Sequence, residues 1–116
     1  MNSLQNALAD FDVQLVVSSS WRETNNFHEL ENFLRPIGKE LVGVTPVIDD
    51  PFLKAVRHHE IQKYLKDNGC MNCKYCAIDD TAGFFEADTD YVYFTDTYTG
   101  FTESDVQKLK DMLSRL

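Results

Sequence analysis

The sequence has few basic residues, with 11 Lys and Arg against 19 Asp and Glu and a net charge of −8. This excess of negative charge opposes a general affinity for nucleic-acid backbones, although it does not exclude a local basic pocket. No apolar run reaches the length of a membrane-spanning helix, and the first residues lack the features of a signal peptide. These absences predict a cytoplasmic protein without a membrane partner. A chain of 116 residues, 43% of them apolar, is expected to form one domain over residues 1–116.

Cysteine is also scarce, and its three copies make an incomplete set of metal ligands. Cys70, Cys73 and Cys76 are spaced Cys-x-x-Cys-x-x-Cys, which could hold zinc or an iron–sulfur cluster with help from His58 or His59. There is no fourth thiolate, and Cys76 falls in a predicted strand, where free cysteine is commonly buried. The sequence therefore favours a structural role. A disulfide between Cys70 and Cys73 would need an oxidising compartment.

What the sequence does have is a near-continuous apolar run at residues 13–17 that ends in three serines, an aromatic and a cation. Such a run favours a strand buried on both faces, as in parallel sheets. Ligands of open α/β sheets bind beyond the carboxyl ends of the strands, so the serines at 18–20 and Arg22 could form an anion-binding rim. The alternative is a structural turn, with Trp21 in the core and Arg22 in solvent.

A second apolar run, residues 75–78, ends in the adjacent carboxylates Asp79 and Asp80. Like charges repel, so this pair is best tolerated when it is exposed or when a cation neutralises it. Alternatively, either carboxylate could cap the following turn. Arg57 stands between the two runs. Its guanidinium suits bidentate contact with phosphate, or it could pair with Glu60 along a helix.

The rest of the chain alternates between helical and strand patterns. Apolar spacing predicts helices at residues 3–10, at about 25–35 with Thr24 or Asn25 as cap, at about 53–67, and from a Thr102–Asp105 capping box onward. A strand is predicted at 91–94, and residues 41–44 are either an edge strand or an extended connection. This order is typical of an α/β protein with three layers, in which helices flank a mainly parallel sheet.

The motifs together resemble the haloacid dehalogenase (HAD) superfamily of phosphohydrolases. The resemblance rests on the order and spacing of residues 18–22, 43–46, 57–61 and 78–80. It covers most of the chain from about residue 13, and it is closest to small HAD domains related to those of RNA-repair proteins. It implies a HAD-like, Rossmann-like fold and a Mg²⁺-dependent phosphatase-type activity.

The resemblance also implies roles for individual residues. In this superfamily an aspartate at the end of the first, central strand attacks phosphorus, and a second aspartate two residues later is the acid and base. Ser18 or Ser19 matches the residue that hydrogen-bonds the transferring phosphoryl group, and Arg57 matches the cation that stabilises its charge. Asp79 and Asp80 match the Mg²⁺ ligands. The implied substrate is a phosphorylated small molecule or a nucleic-acid end.

The nucleophile motif, Asp-x-Asp after an apolar strand, has no counterpart in this sequence. Asp10 and Asp12 have the right spacing, but a helix-like segment precedes them and the strand at 13–17 follows at once. Asp96 follows the last predicted strand, but Tyr98 stands where the second acid should be. We therefore expect a missing first central strand, impaired catalysis and weak Mg²⁺ binding.

Three explanations for the missing strand are open. In the first, the sequence starts at an internal methionine of a longer protein and the domain is incomplete at its N-terminus. In the second, the domain binds without catalysing. In the third, a homodimer fills the gap with an exchanged segment, because central ladder groups are not left unpaired in a core. A phosphohydrolase-type domain is the first interpretation. The alternative is a non-enzymatic module that binds phosphate and Mg²⁺ or another protein, and the third is a small metal-binding protein organised by the cysteines.

Overall fold

The computed structural model describes residues 3–18, 21–86, 89–96 and 98–116, with only the backbone described at Trp21. In chain order the elements are α1 (Ser3–Leu8), β1 (Leu15–Val17), α2 (Trp21–Thr24), α3 (Phe27–Leu34), β2 (Leu41–Val44), α4 (Val56–Asp67), β3 (Ala77–Asp79), β4 (Val92–Phe94) and α5 (Val106–Ser114). Short 3-10 turns lie at Arg35–Ile37, Ala82–Phe84 and Glu103–Asp105. None of the described helices has the length and apolar character needed to cross a lipid bilayer.

The four described strands form two separate two-stranded sheets. β1 pairs with β2 and β3 pairs with β4, and both ladders are parallel. Parallel pairing and flanking helices agree with the predicted α/β class. The expected single sheet is not formed by the described strands, because β1 and β3 share no ladder.

Each sheet presents an inner edge that no other described strand occupies. Leu15 and Val17 hydrogen-bond toward β2, so Val16 between them directs its N–H and C=O to the opposite edge. By the same alternation, Ile78 directs its backbone groups away from β4. The side chain of Val16 is also accessible, and the residue is 38% exposed. β1 therefore has the pairing pattern of an edge strand although its sequence is that of a central one.

One layer of helices covers both sheets. α1 and α5 pack together around a cluster of buried residues: Ala7, Leu8, Ile37, Leu109, Met112 and Leu113. Leu15 from the first sheet and Ile78 from the second pack against this cluster. The shared helical layer holds the two sheets side by side even though their backbones are not paired.

α4 connects the two sheets on the other face. Its residues Ile61 and Leu65 are buried with Val92 of β4, whereas Tyr64 lies against Gly43 of β2. A Cβ at position 43 would come within 2.9 Å of the Tyr64 ring carbon Cε2, so this close approach requires glycine. The carboxyl ends of both sheets consequently lie near the start of α4.

The starts of two helices differ from the sequence-based expectations. The cap of α3 is Asn26, not Thr24 or Asn25: Asn26 Oδ1 accepts from the Glu29 N–H at 2.9 Å and the Glu29 carboxylate accepts from the Asn26 N–H at 3.0 Å. This reciprocal pair satisfies the backbone N–H groups of Asn26 and Glu29, so Asn26 is the cap rather than Thr24 or Asn25. α4 begins at residue 56, not 53, because Ala55 adopts a left-handed conformation with φ 53°.

The start of the last helix agrees with the sequence. The Thr102 N–H donates to Asp105 Oδ2 at 2.8 Å, and the side chain of Thr102 completes the predicted capping box. The motif opens a 3-10 turn that continues into α5. Local side-chain chemistry was sufficient to locate this boundary.

Candidate functional site

A chain of four charged side chains joins the carboxyl ends of the two sheets. At its centre is Glu60 of α4, which is 2% exposed. Glu60 Oε2 lies 2.8 Å from Arg22 Nη2 and accepts from the Ile48 N–H at 2.9 Å. Glu60 Oε1 accepts from Arg57 Nη1 at 3.1 Å, and Arg57 Nε lies 3.7 Å from Asp79 Oδ2. The charges alternate in sign along the chain, so the two cations and two anions balance.

Arg22 is a buried connector between β1 and β2. Its side chain is 2% exposed, so the expectation that it lies in solvent is wrong. Nε donates to the carbonyl of Thr45 at 3.0 Å, Nη1 to that of Ser18 at 2.8 Å, and Nη2 to that of Pro46 at 3.3 Å. The planar guanidinium presents several N–H donors in a fixed geometry, so one arginine can bind three carbonyls at the ends of two strands. Its donors are thus engaged by the protein.

The predicted serine rim is described only in part. Ser18 is half-buried and follows β1 directly, at the carboxyl edge where it was expected. Ser19 lies outside the described residues. A hydroxyl that the sequence reasoning missed is that of Thr45, which follows β2 and is 3% exposed. Thr45 Oγ1 is buried and has no hydrogen-bond partner among the described residues.

Arg57 makes the helical pairing that the sequence offered as one alternative, and its contact with phosphate stays a prediction. Its pairing with Glu60 is the helical ion pair, yet its buried Nε has no hydrogen-bond partner within the described part of the chain. The guanidinium carbon lies 5.0 Å from the ring centroid of Phe84, in the range of a cation–π contact. Arg57 Nε therefore has Asp79 as an ion-pair partner at 3.7 Å but makes no hydrogen bond in the described part of the chain.

Asp79 and Asp80 lie beside Arg57 at the end of β3. Asp79 Oδ1 accepts from the Thr81 N–H at 2.9 Å, and Asp80 Oδ1 accepts from the Thr81 hydroxyl at 3.0 Å. The turn-capping alternative is therefore observed. Burial raises the pKa of the Asp79 carboxyl, although the Thr81 N–H and the charge of Arg57 oppose this rise. A carboxylate that is kept at a raised pKa is typical of functional sites.

The chemistry of these two carboxylates fits Mg²⁺. Asp79 and Asp80 provide hard oxygen donors, one half-buried and one exposed. Within the described ranges, they do not form part of any group of three or more His, Cys, Asp or Glu side chains. Two protein carboxylates suit a metal that retains several of its waters, and they suit weak rather than tight binding.

The raised pKa leads to a prediction about Asp79→Asn. A carboxyl whose pKa is higher in the folded than in the unfolded state favours folding at low pH, and this contribution is lost as the pH rises through the folded-state pKa. At pH 7 without Mg²⁺, the charged Asp79 therefore costs stability, and the isosteric amide should raise Tm by a few degrees. The gain should vanish below the ordinary pKa of aspartate, about 3.9. Thermal melts of both proteins from pH 3 to 8 measure the difference in Tm. A lower Tm for Asp79→Asn at pH 7 would contradict the prediction.

The other aspartates considered as nucleophiles have local roles. Asp96 Oδ1 accepts from the N–H groups of Tyr98 at 2.8 Å and Thr99 at 3.0 Å. These bonds, that from Thr99 first, lower the pKa of the Asp96 carboxyl. Asp10 and Asp12 precede β1 and so lie toward its amino end, away from Asp79.

The cysteines form no cluster with three or more candidate ligands among the described residues. All three are free thiols: Cys73 is exposed, and Cys70 and Cys76 are half-buried. Cys76 directly precedes β3 and packs against the core that α1 and α5 form. Burial raises the pKa of its thiol, which makes it a poorer metal ligand because thiolates are the binding form.

Comparison with known proteins agrees with this arrangement. A family model described as the HAD domain in Swiss Army Knife RNA repair proteins matches residues 1–106. No curated protein and no solved structure matches the chain significantly. The matched span contains β1 to β4 and every described residue of the charged chain. The protein therefore belongs to the family of HAD domains found in Swiss Army Knife RNA repair proteins.

Proposed function

We propose that this domain binds a phosphate group together with Mg²⁺ at the carboxyl edge of its two sheets, and that the present chain does not hydrolyse the bound phosphoester. The observation that carries the proposal is the distance of 3.7 Å between Arg57 Nε and Asp79 Oδ2. These residues are 22 positions apart in the sequence. A cation suited to phosphate thus meets a carboxylate suited to Mg²⁺ at the edge where ligands of such sheets bind.

Each residue would contribute a separate interaction. The guanidinium of Arg57 can pair with a phosphate oxygen, and its charge favours the anion. The hydroxyl of Ser18, and that of Ser19 by the family resemblance, would donate to the same group. Mg²⁺, held by Asp79 and Asp80, would neutralise part of the phosphate charge. The substrate class is a phosphorylated small molecule or a nucleic-acid end.

The absence of a nucleophile supports binding without turnover. The family's attacking aspartate stands on a first central strand between the strands that correspond to β1 and β3. In this protein β1 pairs only with β2 and β3 only with β4 among the described strands, so each has one edge without a strand partner there. We infer that this is the position of the missing strand, and that a completed three-layer domain would have one continuous sheet. The alternative function, a non-enzymatic phosphate- and Mg²⁺-binding module, uses the same residues.

The metal half of the proposal is tested by Mg²⁺ titration, monitored by amide chemical shifts. Shifts should centre on residues 79–83, saturate in the millimolar range, and disappear in the Asp79→Asn/Asp80→Asn double variant. The other adjacent acidic pair, Asp49 and Asp50, gives a matched control, and the corresponding double amide variant should retain the shifts. Shifts that are scattered over the acidic surface, or equally weakened in both variants, would contradict a site at the end of β3.

The phosphate half is tested with inorganic phosphate and ribose 5-phosphate in the same assay. Arg57→Lys keeps the charge but removes the fork, so it should weaken binding of both anions. Arg35→Lys, at an exposed arginine that contacts Asn32, is the control and should bind normally. If Arg57→Lys binds both anions as tightly as the unaltered protein, the phosphate does not contact Arg57.

A further inference from the structure

A cleft of about 810 Å³ opens beside the charged chain, between the segment that leads into α4 and the loop that follows β3. Its walls include Lys54, Val56 and His59 on one side and Phe84 and Glu86 on the other. A phosphate group would fill only a small part of this volume, which lies in the range of sites for molecules of several hundred daltons. The cleft is therefore large enough for more of the substrate than its phosphate.

Phe84 links the cleft to the proposed phosphate site. Arg57 lies against its ring at 5.0 Å, while the residue lines the cleft and is still 37% exposed. Only three residues separate Phe84 from Asp80. An aromatic ring that a cation supports on one side and that is accessible on another is a platform for a flat, π-rich group. A ligand whose phosphate lies at Arg57 would place its next group near this ring.

The polar groups around Phe84 suit the edge of a nucleobase. Lys54 provides donors, Glu86 provides acceptors, and His59 can do either, according to its tautomer. Stacking on an aromatic side chain together with contacts to base edges is how proteins recognise unpaired bases, which duplexes do not expose. The net charge of −8 opposes binding along the phosphate backbone of a nucleic acid. A single phosphorylated base is therefore a better fit than an extended strand.

We propose that this cleft is a nucleobase subsite in which Phe84 stacks on the unpaired base that carries the bound phosphate. The substrate class is then a nucleotide or the terminal nucleotide of a single-stranded nucleic acid. The proposal rests on the proposed phosphate site at Arg57 and Asp79. It adds the nucleobase as the part of the substrate that the cleft recognises. It also assigns a role to Phe84, for which the sequence analysis gave none.

The test compares ribose 5-phosphate with adenosine 5′-monophosphate in the presence of Mg²⁺, by calorimetry and amide shifts. Stacking should make the nucleotide bind about 5- to 150-fold more tightly. Phe84→Leu should abolish this advantage while lowering the affinity for ribose 5-phosphate much less, because Glu60 still holds Arg57 in place, and Phe84→Trp should keep the advantage. Phe33→Leu, at an exposed phenylalanine of α3 outside the cleft, is the matched control and should keep the full advantage.

Further ligands distinguish the nucleobase subsite from the phosphate site, and a free nucleotide from a nucleic-acid end. Adenosine alone should shift the amides of residues 83–86 even if no phosphate ligand binds, so failure of the phosphate site leaves the subsite testable. A 5′-phosphorylated RNA tetranucleotide that binds more tightly than the mononucleotide would assign the cleft to nucleic-acid ends. The proposal is wrong if adenosine causes no shifts there, if the nucleotide gains nothing over ribose 5-phosphate, or if Phe84→Leu weakens both ligands equally.

Discussion

Replacing Glu60 with alanine is expected to lower the free energy of unfolding by about 3–5 kcal/mol. The substitution leaves Arg22 and Arg57 buried without the carboxylate that separates them, and it also removes the acceptor of the Ile48 N–H. Removing one partner of a buried charged network costs far more than the network contributes when it is intact, because the remaining charges stay desolvated. Since domains of this kind have about 5–15 kcal/mol of stability in total, the variant should be near the limit of folding. Urea unfolding monitored by circular dichroism gives the value.

The same helix provides a control for this loss. Lys63 and Asp67 form an ion pair of 3.0 Å on the exposed face of α4, where both side chains are more than half exposed. Asp67→Ala should cost less than about 1 kcal/mol, because solvent screens such pairs. Glu60→Gln should fall between the two, since the amide can keep hydrogen bonds but not the charge. If Glu60→Ala and Asp67→Ala were equally mild, the four charges would not be what connects the sheets.

Adding an N-terminal strand that ends in an Asp-x-Asp motif is expected to give this chain the phosphatase activity that we propose it lacks. With Mg²⁺ and a generic aryl phosphate, the present chain should give only the buffer rate, because its sequence has no Asp-x-Asp motif after an apolar strand to supply the attacking carboxylate. A version extended at its N-terminus by a short apolar strand, an Asp-x-Asp motif and a flexible connection should exceed that rate by at least about 100-fold. Such a strand, followed by α1 and β1, would form the usual right-handed β–α–β unit.

The controls for turnover identify the nucleophile. Changing the first aspartate of the added motif to asparagine should return the rate to that of buffer while the two sheets remain joined. Size-exclusion chromatography of both forms would show whether two copies associate when the strand is absent, as exchange in a homodimer requires. Activity in the present chain that Asp96→Asn abolishes would refute our assignment, because it would make Asp96 the nucleophile.

The structural contacts of Arg57 are compatible with the phosphate-binding role that we propose for it. The ion pair with Glu60 holds the guanidinium in place, and the ring of Phe84 lies 5.0 Å from it. A binding group gains from such rigidity, because less conformational entropy is lost when the ligand arrives. An arginine that pairs inside the protein is therefore compatible with one that binds phosphate, provided that a donor stays unused. Nε of Arg57 makes no hydrogen bond within the described residues, although Asp79 Oδ2 lies 3.7 Å from it.

Most helices and strands could be predicted because their signals are local. The Thr102–Asp105 capping box lies within four consecutive residues, and α5 continues from it as the pattern indicated. The start of α4 was harder to predict from the sequence, since Ala55 adopts a left-handed conformation within a pattern that otherwise indicates a helix. Positions next to one another in the chain determine the first kind of boundary. The start of α4 depends instead on a strained backbone conformation, which the surrounding structure must support.

By itself, the sequence determined the order of the elements and the motif residues Ser18, Arg57, Asp79 and Asp80, because hydrophobic period and residue type act over a few positions. Only the tertiary structure decided how these residues meet. It placed Glu60 between two arginines, one of them 38 positions away, and it divided the strands into two sheets. Nothing in the local pattern distinguishes Glu60 from the exposed acids of the chain. A buried carboxylate depends on which cations the fold brings to it, and that is settled only when α4 packs across both sheets.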